Sequence, residues 1–449
     1  MLLHKSKLSA YTVYLIFAAL FNLSFSTIVT VNLVYQVEVA KLNPLQLVLV
    51  GTTLEVVAFL FQVPTGVLAD VYSRRLAVIV GITIFGLGFI IEGSFPRFEV
   101  IVAAQVLFGI GITLVDGAEQ AWIAGEVEEE RIGHVFMRST QVGLLGTLVG
   151  AGVSVALASI RLNLPLVIGG GMGLLIAVFL LLFMPESRFR TAFEQERPTW
   201  RDMGTTFLNG VRLVRSSGLL VTILLIALLY GLYSEGVDRL STPHLLNDFM
   251  LPALGQFKPV VWFGIISALS TLLTMIASEA VRRRIDTNRQ SSLIRIQLLV
   301  NVVGIASLLL FALAGNFFLA LVALLTFKVY RSVNEPLYTT WLTQNSDAKV
   351  RATVISMRGQ VDAIGQIAGG PPVGYVGTVI SLRAALVTSS LMLSPVLLLF
   401  AYAARKVRKR VEAVDSVEEK DIRNLSMTQG KTVMRMTPEE FHIDQGGVH

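Results

Sequence analysis

Long apolar runs recur along this chain at a length set by a lipid bilayer. A hydrocarbon core about 30 Å thick is crossed by a helix of roughly 20 mostly apolar residues. Windows of that kind fall at 10–35, 44–69, 75–94, 98–123, 134–159 and 163–184, and again at 219–241, 258–281, 292–314, 316–341, 352–379 and 382–404. Twelve spans take up about 240 residues of a 449-residue chain, leaving short loops and tails. Charged residues make up 15% of the sequence, against about 25% in soluble domains, which excludes a soluble enzyme. The predicted fold is all-α and integral to the membrane. The first run, preceded by Lys5 and Lys7, is too long for a signal-peptide core and no small-residue cleavage site follows it, so it is kept as the first span.

Basic residues collect on alternate loops. One set carries Lys5 and Lys7, Arg74 and Arg75, Arg131 and Arg138, six arginines between 188 and 215, Arg282–Arg284 and Arg289, Lys349 and Arg351, and the run from Arg405 to Arg410. The other set holds Lys41, Arg97, Arg161, Lys258 and Arg383. The positive-inside bias places both termini in the cytoplasm of a multi-pass protein of the cell (inner or plasma) membrane. The longest internal polar stretch separates six spans from six. This predicts a first bundle over 1–184, a linker over 185–217, a second bundle over 218–404 and a cytoplasmic tail over 405–449. Within the linker, Trp200, Met203, Phe207, Val211 and Val214 share a helical face, which suits a helix lying in the membrane interface. The Arg-Lys-Val-Arg-Lys-Arg opening of the tail suits anionic headgroups.

The two bundles share a repeat. At one offset of 219, Asp116 meets Glu335, Trp122 meets Trp341, Gln141 meets Gln360 and Val142 meets Val361. Gly146 and Gly150 meet Gly365 and Gly369. Two pseudo-symmetric six-helix bundles in parallel arrangement would enclose a site near the membrane midplane.

The end of the second span reads Pro-Thr-Gly66-Val-Leu68-Ala-Asp70-Val-Tyr-Ser-Arg74-Arg75. This resembles the loop signature of the major facilitator superfamily, G-x-L-a-D-r-x-G-r-r, with Val71 and Ser73 departing from it. The resemblance implies a conformational latch between the halves built on Gly66, Asp70, Arg74 and Arg75. Gly66 would allow close helix approach, and Asp70 would accept hydrogen bonds from a neighbouring helix N-terminus. The stretches LEVVAFLFQVPTGVLAD, DGAEQAWIAGE, FMPESRF and YSEGVDRL are similar to the drug:proton antiporter branch, of tetracycline- and macrolide-efflux type. Two departures stand out. Gln105 stands before Gly109 where antiporters often carry an R-x-x-q-G motif, and Ala151 follows Gly150 where they carry G-x-x-x-G-P.

Ionisable residues inside spans cost roughly 2.5–3.5 kcal/mol each on insertion scales and persist where they pair or line an aqueous cavity. Glu55 lies mid-span two, and Asp116 and Glu119 share a face of span four, none with a base on its own helix. Low dielectric and a like-charged neighbour both disfavour an ionised carboxyl, so these three are the expected proton-coupling groups. Interhelical hydrogen bonding, or access to cytoplasmic water, is the alternative. Lys328, Arg331 and Glu335 share a face of span ten, and Glu335 and Asp362 are the expected partners of the two bases. Arg239 is expected to cap Asp238 or Glu235. These charges read equally as a structural ion-pair network or as cavity lining. Asn22, Ser26 and Thr30 mark a polar face of span one, as do Ser267, Ser270, Thr271 and Thr274 on span eight. The expected substrate cavity is Asn22, Ser26, Phe25, Tyr230, Tyr233, Glu235, Trp262, Tyr330, Arg331, Glu335 and Asp362, although each aromatic taken alone reads first as helix packing.

Five scattered histidines (His4, His134, His244, His442, His449) have no metal-ligand spacing, and there is no Cys. Gly109, Gly111 and Gly169–Gly171 sit inside apolar runs with no strand before them, so they read as helix packing and not as nucleotide loops. No catalytic residues, metal or cofactor are expected, and no nucleic-acid partner; a proton gradient supplies the drive. The expected function is proton-coupled efflux, by alternating access, of an amphipathic or cationic drug-like compound, through a monomer working in the lipid bilayer. A metabolite symporter or uniporter, or a lipid flippase, is the alternative on the same fold. A transporter-like sensor or partner-binding protein is a remoter one.

Overall fold

The computed structural model describes residues 8–187, 212, 217–284, 290–346 and 351–406. Twelve helical crossings follow one another. The first six are Ala10–Glu38, Pro44–Val71, Arg74–Ser94, Phe98–Val115 continued by Ala118–Glu126, Ile132–Ile160 and Leu164–Phe183. The second six are Gly218–Asn247, Val261–Arg284, Gln290–Leu313, Phe317–Gln344, Arg351–Val379 and Leu382–Leu393, the last resuming over 395–406. They are called spans one to twelve below. Eleven are long and apolar enough to cross a membrane by length and composition. Span eleven falls short because Arg351, Arg358, Gln360, Asp362 and Gln366 dilute it. The side chains expected to form an interfacial helix, and the tail beyond Lys406, lie outside the described residues.

Local chemistry sets the span ends. Side-chain oxygens of Ser9, Ser73, Asn316 and Ser381 accept from the backbone N–H three residues on, satisfying donors a helix start leaves unpaired. Asn43 and Gln46 cap each other reciprocally, with Pro44 in the first turn. Span seven overruns its apolar window, 219–241, by six residues to Asn247.

Parity puts both ends of the described chain on one face. Tyr11 lines a cavity with Glu126 and Arg131, and the Lys406 ammonium lies beside Gly218. This is called the terminal face, and the other the distal face.

The repeat found in the sequence is a repeat of contacts. A Cβ on Gly146 would lie 2.4 Å from the carbonyl oxygen of Ala19, and one on Gly150 would lie 2.5 Å from that of Leu23. In the second half, a Cβ on Gly365 would lie 2.4 Å from Leu228 O and one on Gly369 would lie 2.0 Å from Leu232 O. Span five therefore beds on span one as span eleven beds on span seven, backbone against backbone, which only glycine permits.

The halves join toward the distal face. Leu45 N donates to Thr378 Oγ1 at 2.9 Å. Gly370 and Gly374 of span eleven press on Val48 of span two, and Gly264 of span eight presses on Val155 of span five. Toward the terminal face the halves part. There Asp116, Gln120 and Thr140 of the first half and Glu335 of the second are exposed. The molecule is closed distally and open on the terminal side.

Candidate functional site

Two charge systems flank the opening, and they are built differently. In the first half, span four breaks at Asp116–Gly117. The helix from Phe98 ends at Val115, Gly117 takes a φ of +78°, and a new helix starts at Ala118. That backbone angle suits glycine and lets the chain turn inside an apolar span. Asp116 and Glu119 thereby sit at the start of the short helix, where free N–H groups and the dipole favour negative charge. Both line a cavity of about 450 Å³ open to the terminal side, together with Tyr14, Asn22, Gln120 and Ser139. Ser139 Oγ donates to Phe136 O at 2.9 Å, beside Tyr14 in the cavity wall. Neither acid forms an ion pair among the described residues.

Glu55, half-buried on span two, lies where the halves meet, and its charged neighbours come from the other half: Glu235, Arg239, Asp362 and Asp238. The base among them, Arg239, is paired with Glu235.

The second half pairs its charges. Arg239 Nε donates to Glu235 Oε1 at 2.9 Å, as expected, with the carboxylate buried and the guanidinium partly so. The other expected pairs are overturned. Arg331 binds Asp238 of span seven, not Glu335 or Asp362. Glu335 accepts from Arg358 Nη2 of span eleven at 2.6 Å. Asp362 accepts from Gln366 Nε2 at 2.9 Å. Lys328 has no ion pair among the described residues and faces a separate polar cavity.

Several residues expected to line the cavity are instead in the packing. Ser26 is 3% exposed and donates to Thr147 O, gripping span five. Phe25 stacks in a column with Phe21, Phe85 and Phe108 inside the first half. Tyr230 and Tyr330 both donate to Asn301 Oδ1, at 3.0 and 2.9 Å, in a buried amide network completed by Asn334 and Gln297. Tyr233 packs edge-on against Tyr230 and Phe327. Trp262 donates to Pro252 O and abuts Phe317 near the distal face. Glu235 is 3% exposed and wedged between Gly51 and Gly370. Asn22, Arg331, Glu335 and Asp362 remain at or near open space.

The loop signature bonds to its own half. Arg74 binds Asp70 at 2.9 Å and donates to Ala121 O. Arg75 Nη2 donates to Leu181 O, and Glu186 holds Ser73 Oγ and Arg75 N. A Cβ on Gly66 would meet nothing within 4 Å, so the close approach expected there is not made in this closed-distal arrangement.

Sequence reasoning missed one acid. Glu92 is fully buried on span three. Its Oε1 accepts from Gln36 Nε2 at 2.7 Å and its Oε2 from Gln105 Nε2 at 2.9 Å, while Tyr35 OH donates to its carbonyl. A Glu two residues from the end of an apolar window passes for an interface residue. The signal was Gln105, a large amide inside the apolar run of span four.

A Major Facilitator Superfamily model matches residues 15–370. The chain is 20% identical over 363 residues to "Uncharacterized MFS-type transporter YxaM" of Bacillus subtilis (strain 168), covering 79% of this chain and 86% of that one. Among solved structures it is similar to the nucleoside transporter NupG (D323A mutant), with a TM-score of 0.72 and 15% identity over 89% of this chain and 99% of that one. It is also similar to a bacterial homolog of the human lysosomal transporter Spinster, inward-facing and unoccupied. There the TM-score is 0.69 and the identity 15%, over 89% of this chain and 97% of that one. At these identities the structural likeness speaks for the fold: twelve helices in two six-helix halves.

Proposed function

Because the chain belongs to the Major Facilitator Superfamily, and is therefore a secondary transporter and not an enzyme, we propose that it exports amphipathic drug-like compounds, cationic ones among them, in exchange for protons. The terminal face, which gathers most of the basic loops, is the cytoplasmic one in this reading. The open cavity then faces the cytoplasm.

The observation that carries the reading is the division of charge. The second half ties Glu235, Asp238 and Glu335 to arginines. In the first half, Asp116 and Glu119 line the open cavity with no base paired to them among the described residues. Free acids three residues apart, at the break and in the first turn of the short helix, can hold either a cation or a proton, which is what exchange requires. An amphipathic cation binds the ionised acids from the cytoplasm. When access switches, protons from outside displace it, and the neutral acids return. Glu55, at the joint between halves, is placed to report protonation to the second half through Arg239. Inverted vesicles with an imposed proton gradient test this. Retained gradient-driven accumulation of a dye or macrolide in Asp116→Asn, Glu119→Gln and Glu55→Gln alike sinks the coupling assignment.

A second reading rests on Gln105. Where antiporters of the superfamily often carry arginine, this amide holds the carboxyl of Glu92. A symporter, uniporter or lipid flippase needs no arginine there. Exchange flux that is unchanged when the proton gradient is collapsed would favour it.

A further inference from the structure

Thr30 of span one meets spans seven, eight and ten around a polar cavity of about 290 Å³, set apart from the Asp116 pocket. Its charges are Asp238, Arg331 and Lys328. Asp238 is taken up by Arg331. No other charged residue lines the cavity among the described residues, so with that pair made it keeps one uncompensated positive charge, on Lys328. Lys328 lies eleven residues into a 28-residue helix, too far from either end for its ammonium to reach an interface.

The hydroxyls sort by their hydrogen bonds. Thr30, Ser241 and Thr271 each donate back to the carbonyl four residues earlier, to Ser26, Val237 and Ser267 respectively. Their protons are spent within their own helices. Ser267 and Ser270, one turn apart on span eight, and Thr242 of span seven make no side-chain hydrogen bond among the described residues and keep their O–H free. An ammonium and three hydroxyls therefore line the cavity as donors, with no free carboxylate opposite them. A cation finds no partner here; an anion finds four.

We propose that this cavity binds the anionic group of the transported molecule, a carboxylate, sulfonate or phosphate, with Lys328 as charge partner and Ser267 and Ser270 as hydrogen-bond donors. At about 290 Å³ it falls at the floor of drug-sized pockets, so it holds a headgroup while the apolar body lies outside it. A ligand seated there touches span one of the first half and three spans of the second, so its grip depends on how the halves are set. The inference rests on the reading of the chain as an exporter of amphipathic compounds, and adds that acidic amphiphiles are among them.

The same chemistry could come from a soluble acid or from an anionic lipid. The test uses the full-length protein in nanodiscs and three probes sharing one ring system: 2-naphthalenesulfonate, 2-naphthylmethylammonium and 2-naphthylmethanol. In phosphatidylcholine discs the sulfonate should raise the thermal midpoint and bind measurably, and the ammonium and the alcohol should do neither through this site. Lys328→Gln should weaken the sulfonate by about tenfold or more, the equivalent of about 1.4 kcal/mol, with Lys328→Arg keeping most of the affinity. Should Lys328→Gln fail to fold, Ser267→Ala/Ser270→Ala carries the same expectation with a smaller loss. Discs containing phosphatidylglycerol form the second arm. If that lipid competes with the sulfonate in the parent and not in Lys328→Gln, the headgroup is the lipid's; if it does not compete, the ligand is a soluble acid. Sulfonate affinity indifferent to Lys328 and to both serines, or ammonium affinity that depends on Lys328, overturns the proposal. Because the readout is binding, it fails or stands apart from export: Lys328-dependent binding without gradient-driven flux of any compound would remove the export reading and leave the site.

Discussion

Replacing Gly51 with alanine should push the closed distal face open. A Cβ at that position would lie 1.5 Å from Glu235 Oε1, 2.2 Å from Arg239 Nε and 2.7 Å from Arg239 Cζ. Ordinary contact begins near 3.4 Å, so the carboxylate must retreat by about 1.9 Å (3.4 − 1.5). It has little room. The pair is closed at 2.9 Å with side-chain exposures of 16% and 4%, and Glu235 is backed by the Gly370 wall of span eleven. The relief that does not break the pair is to separate span two from span seven. Overpacking of this kind costs about 1–3 kcal/mol, and lifting that cost in the opposite state shifts the balance of states by about 5–150-fold. The absence of cysteine makes the assay clean. Leu45→Cys/Thr378→Cys places two thiols where Leu45 N now meets Thr378 Oγ1 across the closed face. In the parent background they should cross-link rapidly under oxidant. In the Gly51→Ala background cross-linking should slow several-fold, and maleimide labelling of the same thiols should rise. Gly152→Ala, where a Cβ meets nothing within 4 Å, is the control. Unchanged cross-linking in Gly51→Ala with unchanged thermal stability would refute the claim that this contact keys the closed face.

Other perturbations separate packing from charge. Gly369→Ala and Gly146→Ala, each driving a methyl into a backbone carbonyl, should both lower thermal stability by about 1–3 kcal/mol. Gly171→Ala, with open space around it, should be neutral or gain up to about 1 kcal/mol from helix propensity; equal midpoints for all three would sink the repeat-contact argument. Glu92→Leu strands the amides of Gln36 and Gln105, at about 1–3 kcal/mol for each orphaned group. A calorimetric scan showing the leucine variant as stable as the parent would contradict that. Arg239→Gln leaves Glu235 buried and unpaired, with an expected loss of about 3–5 kcal/mol. Adding Glu235→Gln should recover part of it, and a double-mutant cycle with no coupling would disprove the pair's role.

Residues differed in what their sequence context revealed. Apolar windows located twelve spans to within a few residues because burial in lipid constrains every position of a crossing. The glycine repeat was equally plain, since Gly146 and Gly365 keep one offset only if their contacts persist. Partnership was not legible. Lys328, Arg331 and Glu335 share a face by helical spacing, but spacing says nothing of which helix lies opposite, and Arg331 turned to Asp238. A polar stripe has the same ambiguity. Asn22 and Ser26 lie one turn apart, yet Asn22 lines a cavity and Ser26 grips a neighbouring carbonyl. The break in span four was written in the sequence as Asp116-Gly117, a turn dipeptide, and went unread because hydropathy carried the window across it.

The glycine contacts also decide which parts of the molecule can slide. Inside each half, carbonyl oxygens of Ala19, Leu23, Leu228 and Leu232 sit in notches left by Gly146, Gly150, Gly365 and Gly369. A carbonyl in a notch blocks axial travel, because one residue of slip brings a side chain where hydrogen alone now fits. Shear within those pairs is thereby excluded, and each moves as a single beam. Between halves, the space at Gly264 and Gly370 is filled first by the tips of Val155, Thr52 and Val48. Tips can rotate aside through staggered wells while backbones cannot. Any change of access therefore takes the form of rolling at the joint, of the two large-scale modes, hinge and shear, the one that leaves both beams straight.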